Sequence, residues 1–297
     1  MLREAMESNE DETNADPALF TSLLSSQGRD GCHRFMHLIE EAEKEVELHS
    51  EDRPASWAGT LIVLEGLDGV GKTTTSNALV ASINSSVSPT ACGFPSDAGD
   101  GEKGVHQSAS LLRTPPASLS SFRDTFDRLE DSPLLRRAYY TLGNILTSKR
   151  IRTSDEKSMF VLDRFWSSTY AYQVATDLSS QSSSYQQRTN DGDEGEVTSA
   201  IQWPWYLVKP TLLVLLVVQE SIRIQRIQSR EETLTAEEDM LKRKQLFREL
   251  VLSLYRCMPD VVEIDNANPT EETVYAILGH LTSSNQHQRL ATYTSTS

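Results

Sequence analysis

The sequence predicts an α/β chain: a three-layer αβα sandwich around a mostly parallel sheet of about five strands, with extra helices at the N-terminus. Three observations carry this. Short apolar runs alternate with longer amphipathic stretches, the pattern of strands joined by helical crossovers. The runs lack polar alternation, as strands do when helices cover both faces of their sheet. The first run leads through a glycine-rich turn directly into a helical stretch.

The elements follow in order. Residues 1–17 are acidic, without periodicity, and read as disordered. Residues 18–56 read as a helical extension and linker. Apolar positions recur at helical spacing from Leu19 to Val46, a break at Gly28 to Gly31 suggests two helices, and Asp52 to Ser56 reads as the linker. The main domain spans 57–282. Leu61 to Leu64 is its first strand, and Thr73 to Ser85 its first helix. Residues 86–121, rich in Ser, Pro, Gly and Ala, read as a long loop. Pro133 suits the first turn of a helix that reaches Arg152. Met159 to Leu162 is the second strand, ending in Asp163-Arg164, and Ser167 to Leu178 is helical. The polar, low-complexity stretch 179–198 reads as a disordered insert. Leu212 to Val218 is the third strand, followed by helices at Glu220 to Arg230 and Thr235 to Cys257. Asp260 to Ile264 is the last strand, Glu271 to Leu281 the last helix, and 283–297 a loose polar tail.

Composition narrows the function. A chain of 297 residues can bury a sizeable core. Its net charge of −15 opposes nucleic-acid backbones and anionic membranes, so neither is expected as a partner. A local basic pocket can still take small anions. No run reaches the ~18 apolar residues of a membrane-spanning helix. The acidic N-terminus lacks both the apolar core of a secretory signal and the Arg-rich pattern of a transit peptide. Cys32, Cys92 and Cys257 are odd in number and far apart, which argues against a disulfide framework or a cysteine-based zinc site. A reducing, cytoplasmic compartment is the expectation.

The chemistry is concentrated in a few strings. Gly66-Leu67-Asp68-Gly69-Val70-Gly71-Lys72-Thr73 satisfies the phosphate-binding pattern G-x-x-x-x-G-K-[ST], between a strand and a helix. Its glycines let backbone N–H groups curl around phosphate oxygens, and the new helix aims its positive end at them. Lys72 is expected to reach the β- and γ-phosphates, and Thr73 to offer its hydroxyl to Mg²⁺. The fold class is thereby that of a P-loop NTPase. Asp163-Arg164 ends a strand, where open parallel sheets bind ligands; the carboxylate suits Mg²⁺ and the guanidinium suits phosphate. Arg223, Arg226 and Arg230 share one helix face after the third strand, fitted to the charge of a transferring phosphoryl group. In the helix from Pro133, Arg136, Tyr140 and Asn144 form a polar stripe, and Gly143 in its interior suggests a close approach. His33 and His37 have helical spacing and no evident third ligand, so no metal is expected there. Trp203 fits a packing anchor or a base-stacking platform.

Together these residues resemble the thymidylate kinase family of P-loop nucleoside monophosphate kinases. Glu65 to Thr74 looks like its P-loop, including the acidic Asp68, and Asp163 to Gln173 looks like its Asp-Arg-Phe segment with the downstream Ala-Tyr-Gln. Leu111 to Pro116, Arg136 to Asn144, Gln202 to Pro204 and Leu207 to Pro210 are closer to its mitochondrial UMP-CMP kinase 2 branch. The resemblance covers about residues 58–282. It implies a phosphotransferase that moves the γ-phosphoryl of Mg·ATP to a pyrimidine nucleoside monophosphate, with Mg²⁺ as cofactor and small molecules as partners. A homodimer is compatible with it. The implied ATP site is Gly66, Leu67, Asp68, Gly69, Val70, Gly71, Lys72, Thr73 and Thr74, and the metal ligands are Thr73 and Asp163. The implied monophosphate site is Asp68, Arg113, Arg136, Tyr140, Asn144 and Arg164. Lys72, Asp163, Arg164, Arg226 and Arg230 are the implied catalytic set, and Glu220 to Glu238 the lid.

Three departures qualify the substrate. Some members carry an arginine after the acidic P-loop residue; here that position is Gly69, so the lid must supply it. Thr114-Pro115-Pro116-Ala117 stands where Phe-Pro-x-Arg is usual, leaving Arg113, Arg123 or Arg128 to substitute. Asn144 precedes Ile145 where an arginine is usual, so the acceptor range opens from dTMP to UMP, CMP, dUMP and dCMP. Two other readings stand beside this one: a deoxynucleoside kinase with Glu65 or Asp163 as base, and a catalytically silent nucleotide-binding module. A switch GTPase fits less well, because the chain has no Asn-Lys-x-Asp string.

Overall fold

A computed structural model describes residues 28–86, 108–127, 133–185, 201–229 and 245–294. The first helix, α1, spans Gly28–Glu47. Strand β1 (Thr60–Glu65) runs through the phosphate-binding turn into α2 (Lys72–Ser86). β2 (Ala109–Arg113), a 3-10 turn at Ala117–Phe122 and a short α3 (Arg123–Asp127) follow. Then come α4 (Pro133–Arg152), β3 (Met159–Asp163) and α5 (Trp166–Tyr185). The chain closes with β4 (Leu212–Val217), α6 (Glu220–Gln228), α7 (Gln245–Arg256), β5 (Val261–Asp265) and α8 (Thr270–Thr294).

All five strands are parallel, in the order β2-β3-β1-β4-β5. The central strands β1, β3 and β4 are almost wholly buried, which explains their unbroken apolar composition. The chain reverses direction of strand addition about β1, and the crevice at such a point is where ligands settle. Register puts Leu64 beside Asp163, and Asp163 beside Arg113. Glu65, Asp163 and Arg113 thus end three adjacent strands at one sheet edge.

The structure corrects several boundaries. A strand, β2, lies within the stretch expected as a long loop. Its signal is weak because only Ala109 and Leu112 of its five residues are buried. Asn84 of α2 anchors it, donating to the Ala109 carbonyl (3.0 Å) and accepting from the Ala109 amide (2.8 Å). The expected break at Gly28 to Gly31 is instead the start of α1, with Asp30 in its first turn favouring the positive helix end. Helix α5 runs to Tyr185, into the stretch expected as a disordered insert, and α8 runs to Thr294, through the expected loose tail. Neither extension contains a glycine or proline to stop the helix. The expected helix at residues 19–27, the rest of the insert, the lid from residue 230 to 238 and the first residues of the helix expected from Thr235 lie outside the described residues.

Helix α1 packs on α4. Lys149 meets Glu41 at 2.8 Å, and Arg152 forks onto the buried Glu45 at 2.8 and 2.9 Å. The close approach inferred for Gly143 is to Pro115: a Cβ there would stand 3.0 Å from the Pro115 Cβ. No helix among the described residues is long and apolar enough to cross a membrane.

Candidate active site

The P-loop leaves β1 at Glu65 and returns as α2 at Lys72. Gly69 and Gly71 have φ of 87° and 99°, in the left-handed region that side chains disfavour. At Gly69 a Cβ would also stand 2.7 Å from Ile227 Cγ1 and 2.9 Å from the Arg223 carbonyl. The position where some family members carry an arginine is therefore closed here by α6. Lys72 is buried. Its ammonium donates to the carbonyls of Gly66 and Leu67, both at 2.9 Å, and faces Asp68 Oδ1 at 3.5 Å. Burial and the nearby Arg164 push its pKa down, against the opposing pull of Asp68, Asp163 and Glu65.

Arg164 crosses to the same loop. It sits at φ 67°, a costly conformation for a non-glycine residue and one that clusters at functional sites. Its amide is held by the Leu64 carbonyl at 3.1 Å. Its guanidinium pairs with Asp68, donates to Ser168 Oγ at 3.1 Å and lies 5.9 Å from the Tyr172 ring centre. Burial raises the Asp68 pKa, but Arg164 and Lys72 outweigh it and hold the carboxyl well below the usual range. Asp68, Arg164 and Lys72 thus form one charged cluster between the P-loop and the end of β3.

Beneath it lies a second network. Glu65 accepts from the amides of Phe165 (2.9 Å) and Ser168 (3.3 Å) and from the Ser168 hydroxyl. Tyr255 Oη of α7 stands 2.7 Å from that hydroxyl. Burial pushes the Glu65 carboxyl up to about 7, although Ser168 and Arg164 pull the other way.

Thr73 Oγ1 donates to Asp163 Oδ2 at 2.6 Å, with Thr73 exposed and Asp163 mostly buried. Two hard oxygen groups therefore converge at an accessible point, as a Mg²⁺ site asks. Among the described residues no group of three or more His, Cys, Asp or Glu side chains could hold a metal ion. Mg²⁺ is commonly held by one or two protein groups, with phosphates and water completing its shell. His33 and His37 are both exposed on α1.

The arginines of α6 face the loop from its other side. Arg223, only 1% exposed, forks onto Glu220 at 2.7 Å and donates to the Asp68 carbonyl at 3.0 Å. Arg226, expected as a lid cation, donates to the carbonyls of Val70 (3.0 Å) and Asn266 (2.8 Å). Arg230 lies outside the described residues. Asn266, just past β5, was missed by sequence reasoning. It is buried, donates to the Val70 carbonyl (2.7 Å) and Thr75 Oγ1 (3.3 Å), and accepts from Thr273 (2.7 Å). Its only signal was a polar residue directly after a strand.

On the other flank, Arg113 is exposed at the end of β2. Arg136 and Tyr140 are half-buried on α4, two turns and one turn before the buried Asn144. The Asn144 amide donates to Thr169 Oγ1 of α5 at 2.9 Å, next to Ser168, so α4 is tied to the Arg164 network. Arg123 is exposed on α3, and Arg128 lies outside the described residues. Trp203 is a packing anchor. Its ring lies 4.9 Å from Trp166 and 5.8 Å from Phe165, and its Nε1 donates to the Leu207 carbonyl at 3.2 Å.

A phosphate-binding loop, an Arg–Asp–Lys cluster and a Thr–Asp pair thus meet at the carboxyl ends of β1 and β3. The thymidylate kinase family profile matches residues 64–277. The chain belongs to the thymidylate kinase family. Human mitochondrial UMP-CMP kinase 2 is 30% identical over 219 residues, which cover 72% of this chain and 40% of that protein. The chain thus spans well under half the length of that relative. A solved thymidylate kinase structure from Candida albicans aligns with a TM-score of 0.48 at 15% identity, covering 77% of this chain and 93% of that one.

Proposed function

We propose that the protein is a nucleoside monophosphate kinase that moves the γ-phosphoryl of ATP onto a pyrimidine nucleoside monophosphate. One observation carries the reading. Arg164, held by Asp68 and Ser168, stands between the P-loop and the end of β3, where a donor phosphate and an acceptor phosphate must meet. Transfer between two anions needs positioning and charge neutralisation rather than covalent catalysis by the protein. P-loop amides from Gly66 to Thr74 and the Lys72 ammonium hold the donor. Arg164 spans both phosphates, and Asp68 sits beside the acceptor sugar. Arg113, Arg136, Tyr140 and Asn144 line the acceptor side. Thr73 and Asp163 would hold Mg²⁺, which when bound offsets the charge of the donor phosphates. Arg223 and Arg226 brace the loop through its carbonyls, and Arg230 is the remaining candidate for the catalytic lid arginine.

The acceptor range includes UMP, CMP, dUMP, dCMP and dTMP. Human UMP-CMP kinase 2, by its name a kinase of UMP and CMP, supports the first two. A deoxynucleoside kinase would need a carboxylate free to deprotonate a sugar hydroxyl. Glu65 instead faces the Phe165 and Ser168 amides, and Asp163 faces Thr73.

Steady-state turnover of ATP to ADP against the five monophosphates, with thymidine and deoxycytidine as controls, tests the proposal. Turnover that needs the acceptor phosphate supports it. Turnover with the nucleosides alone would establish the deoxynucleoside kinase. ATP binding without turnover on any acceptor would point to a silent nucleotide-binding module.

A further inference from the structure

Helix α1 lies outside the residues that the family profile matches, yet it is built into the acceptor flank. Phe35, 1% exposed, packs against two aromatic rings of the segment that leaves the carboxyl end of β2. Its ring centre is 4.8 Å from Phe122 and 5.3 Å from Phe126. Phe126 in turn stacks at 4.7 Å on Tyr139 of α4, whose hydroxyl donates to the Leu119 carbonyl at 2.9 Å. Arg34 adds a hydrogen bond to Ser121 Oγ at 3.1 Å. The other end of α1 is fixed by the Glu41–Lys149 and Glu45–Arg152 pairs, again on α4. Residues 117–127 are therefore held between α1 and α4. The start of the same segment, Pro115, rests on Gly143, beside Asn144.

We propose that α1 is a positioning element for the acceptor: through Phe35 it sets the placement of residues 114–127 against the Tyr139–Gly143–Thr147 stripe of α4, next to the stripe that carries Arg136, Tyr140 and Asn144. This rests on the kinase reading above. A wall set by an aromatic stack is sensitive to loss of that stack, because displacements of about 1 Å at a binding wall carry large rate penalties. The donor side has no such dependence. The P-loop is braced by Arg223, Arg226 and Asn266, whose hydrogen bonds run to the Asp68 and Val70 carbonyls.

The test uses the full chain with Phe35→Ala and, as the milder variant, Phe35→Leu. Steady-state constants are measured with acceptor and ATP varied separately, and amide hydrogen exchange is followed over residues 66–72 and 117–127. The acceptor KM should rise about tenfold in Phe35→Ala while the ATP KM stays within about twofold. Exchange should quicken in 117–127 and stay unchanged in the P-loop, with Phe35→Leu intermediate in every readout. An unchanged acceptor KM, or equal rises in both KM values, would overturn the proposal. If Phe35→Ala fails to fold, Phe35→Leu carries the same readouts. If the wild type phosphorylates no monophosphate, the kinase reading is what fails. Exchange then decides the clamp by itself, and unchanged protection of 117–127 would overturn it.

Discussion

Replacing Arg226 by methionine separates two roles for this arginine. Methionine keeps an apolar stem and deletes the guanidinium. Two hydrogen bonds go, one to the Val70 carbonyl and one to the Asn266 carbonyl. The Val70 carbonyl keeps a second donor, Asn266 Nδ2 at 2.7 Å, so only the Asn266 carbonyl loses its side-chain partner. Bonds from charged donors contribute about 1.5–3 kcal/mol each in mutational series. With one acceptor still satisfied and the arginine half-exposed, the loss comes to about 2 kcal/mol. For a domain of this size that lowers Tm by about 4–8 °C. The ATP KM should rise and kcat fall less than about tenfold, because a loosened P-loop weakens donor binding before it affects the chemistry. An arginine acting on the transferring group would instead cost about 10³–10⁵ in kcat. Thermal melting and steady-state kinetics on one preparation decide the matter. An unchanged Tm with a thousandfold loss of kcat would refute the bracing role.

Three further outcomes follow from the same geometry. Burial pushes the Glu65 carboxyl up to about 7, from the ordinary 4.5 of an exposed glutamate. The folded state therefore holds a proton that the unfolded state has released between those values, and stability falls as pH rises through the window, by roughly 3 kcal/mol at most. Denaturant unfolding at several pH values should show Glu65→Gln flattening that slope; parallel curves for the two proteins would contradict the burial argument. Gly69→Ala places a Cβ at φ 87° and 2.7 Å from Ile227, so it should cost about 1–3 kcal/mol and weaken ATP binding in calorimetric titration. Wild-type Tm and affinity would show that the loop yields. Asn266→Ala leaves the Thr273 hydroxyl without its acceptor and removes a donor from the Val70 carbonyl. A loss of about 2–4 kcal/mol with a raised ATP KM is expected, read by melting and kinetics; a lowered Tm with an unaltered ATP KM would uncouple Asn266 from the P-loop.

Much of the fold was legible because strong local signals agreed with the tertiary structure. The P-loop pattern sat between an apolar strand and a helix, and α4 begins at Pro133 and ends at Arg152 as its sequence suggests. Elsewhere the deciding contacts are remote in sequence. β2 is a half-exposed edge strand anchored by Asn84, and nothing local distinguishes it from the loop around it. Helices α5 and α8 outrun their apolar stripes because no residue stops them. In the candidate site, Lys72, Thr73 and Asp163 follow from motif and strand end. The shared face of Arg223 and Arg226 is visible in their spacing, but their targets, the carbonyls of Asp68, Val70 and Asn266, are not. Tyr255 reaches Ser168 only because α7 packs across α5, and no pattern in either segment announces it.

The central claim is that this site passes a phosphoryl group from ATP to a nucleoside monophosphate. It is tested most directly by following label from γ-³²P-ATP in the wild type and in Lys72→Met, with UMP, CMP and dTMP as acceptors. The label should appear in the nucleoside diphosphate with the wild type and be almost absent with the variant. Label that stays in ATP, or passes only to water as inorganic phosphate, would contradict it.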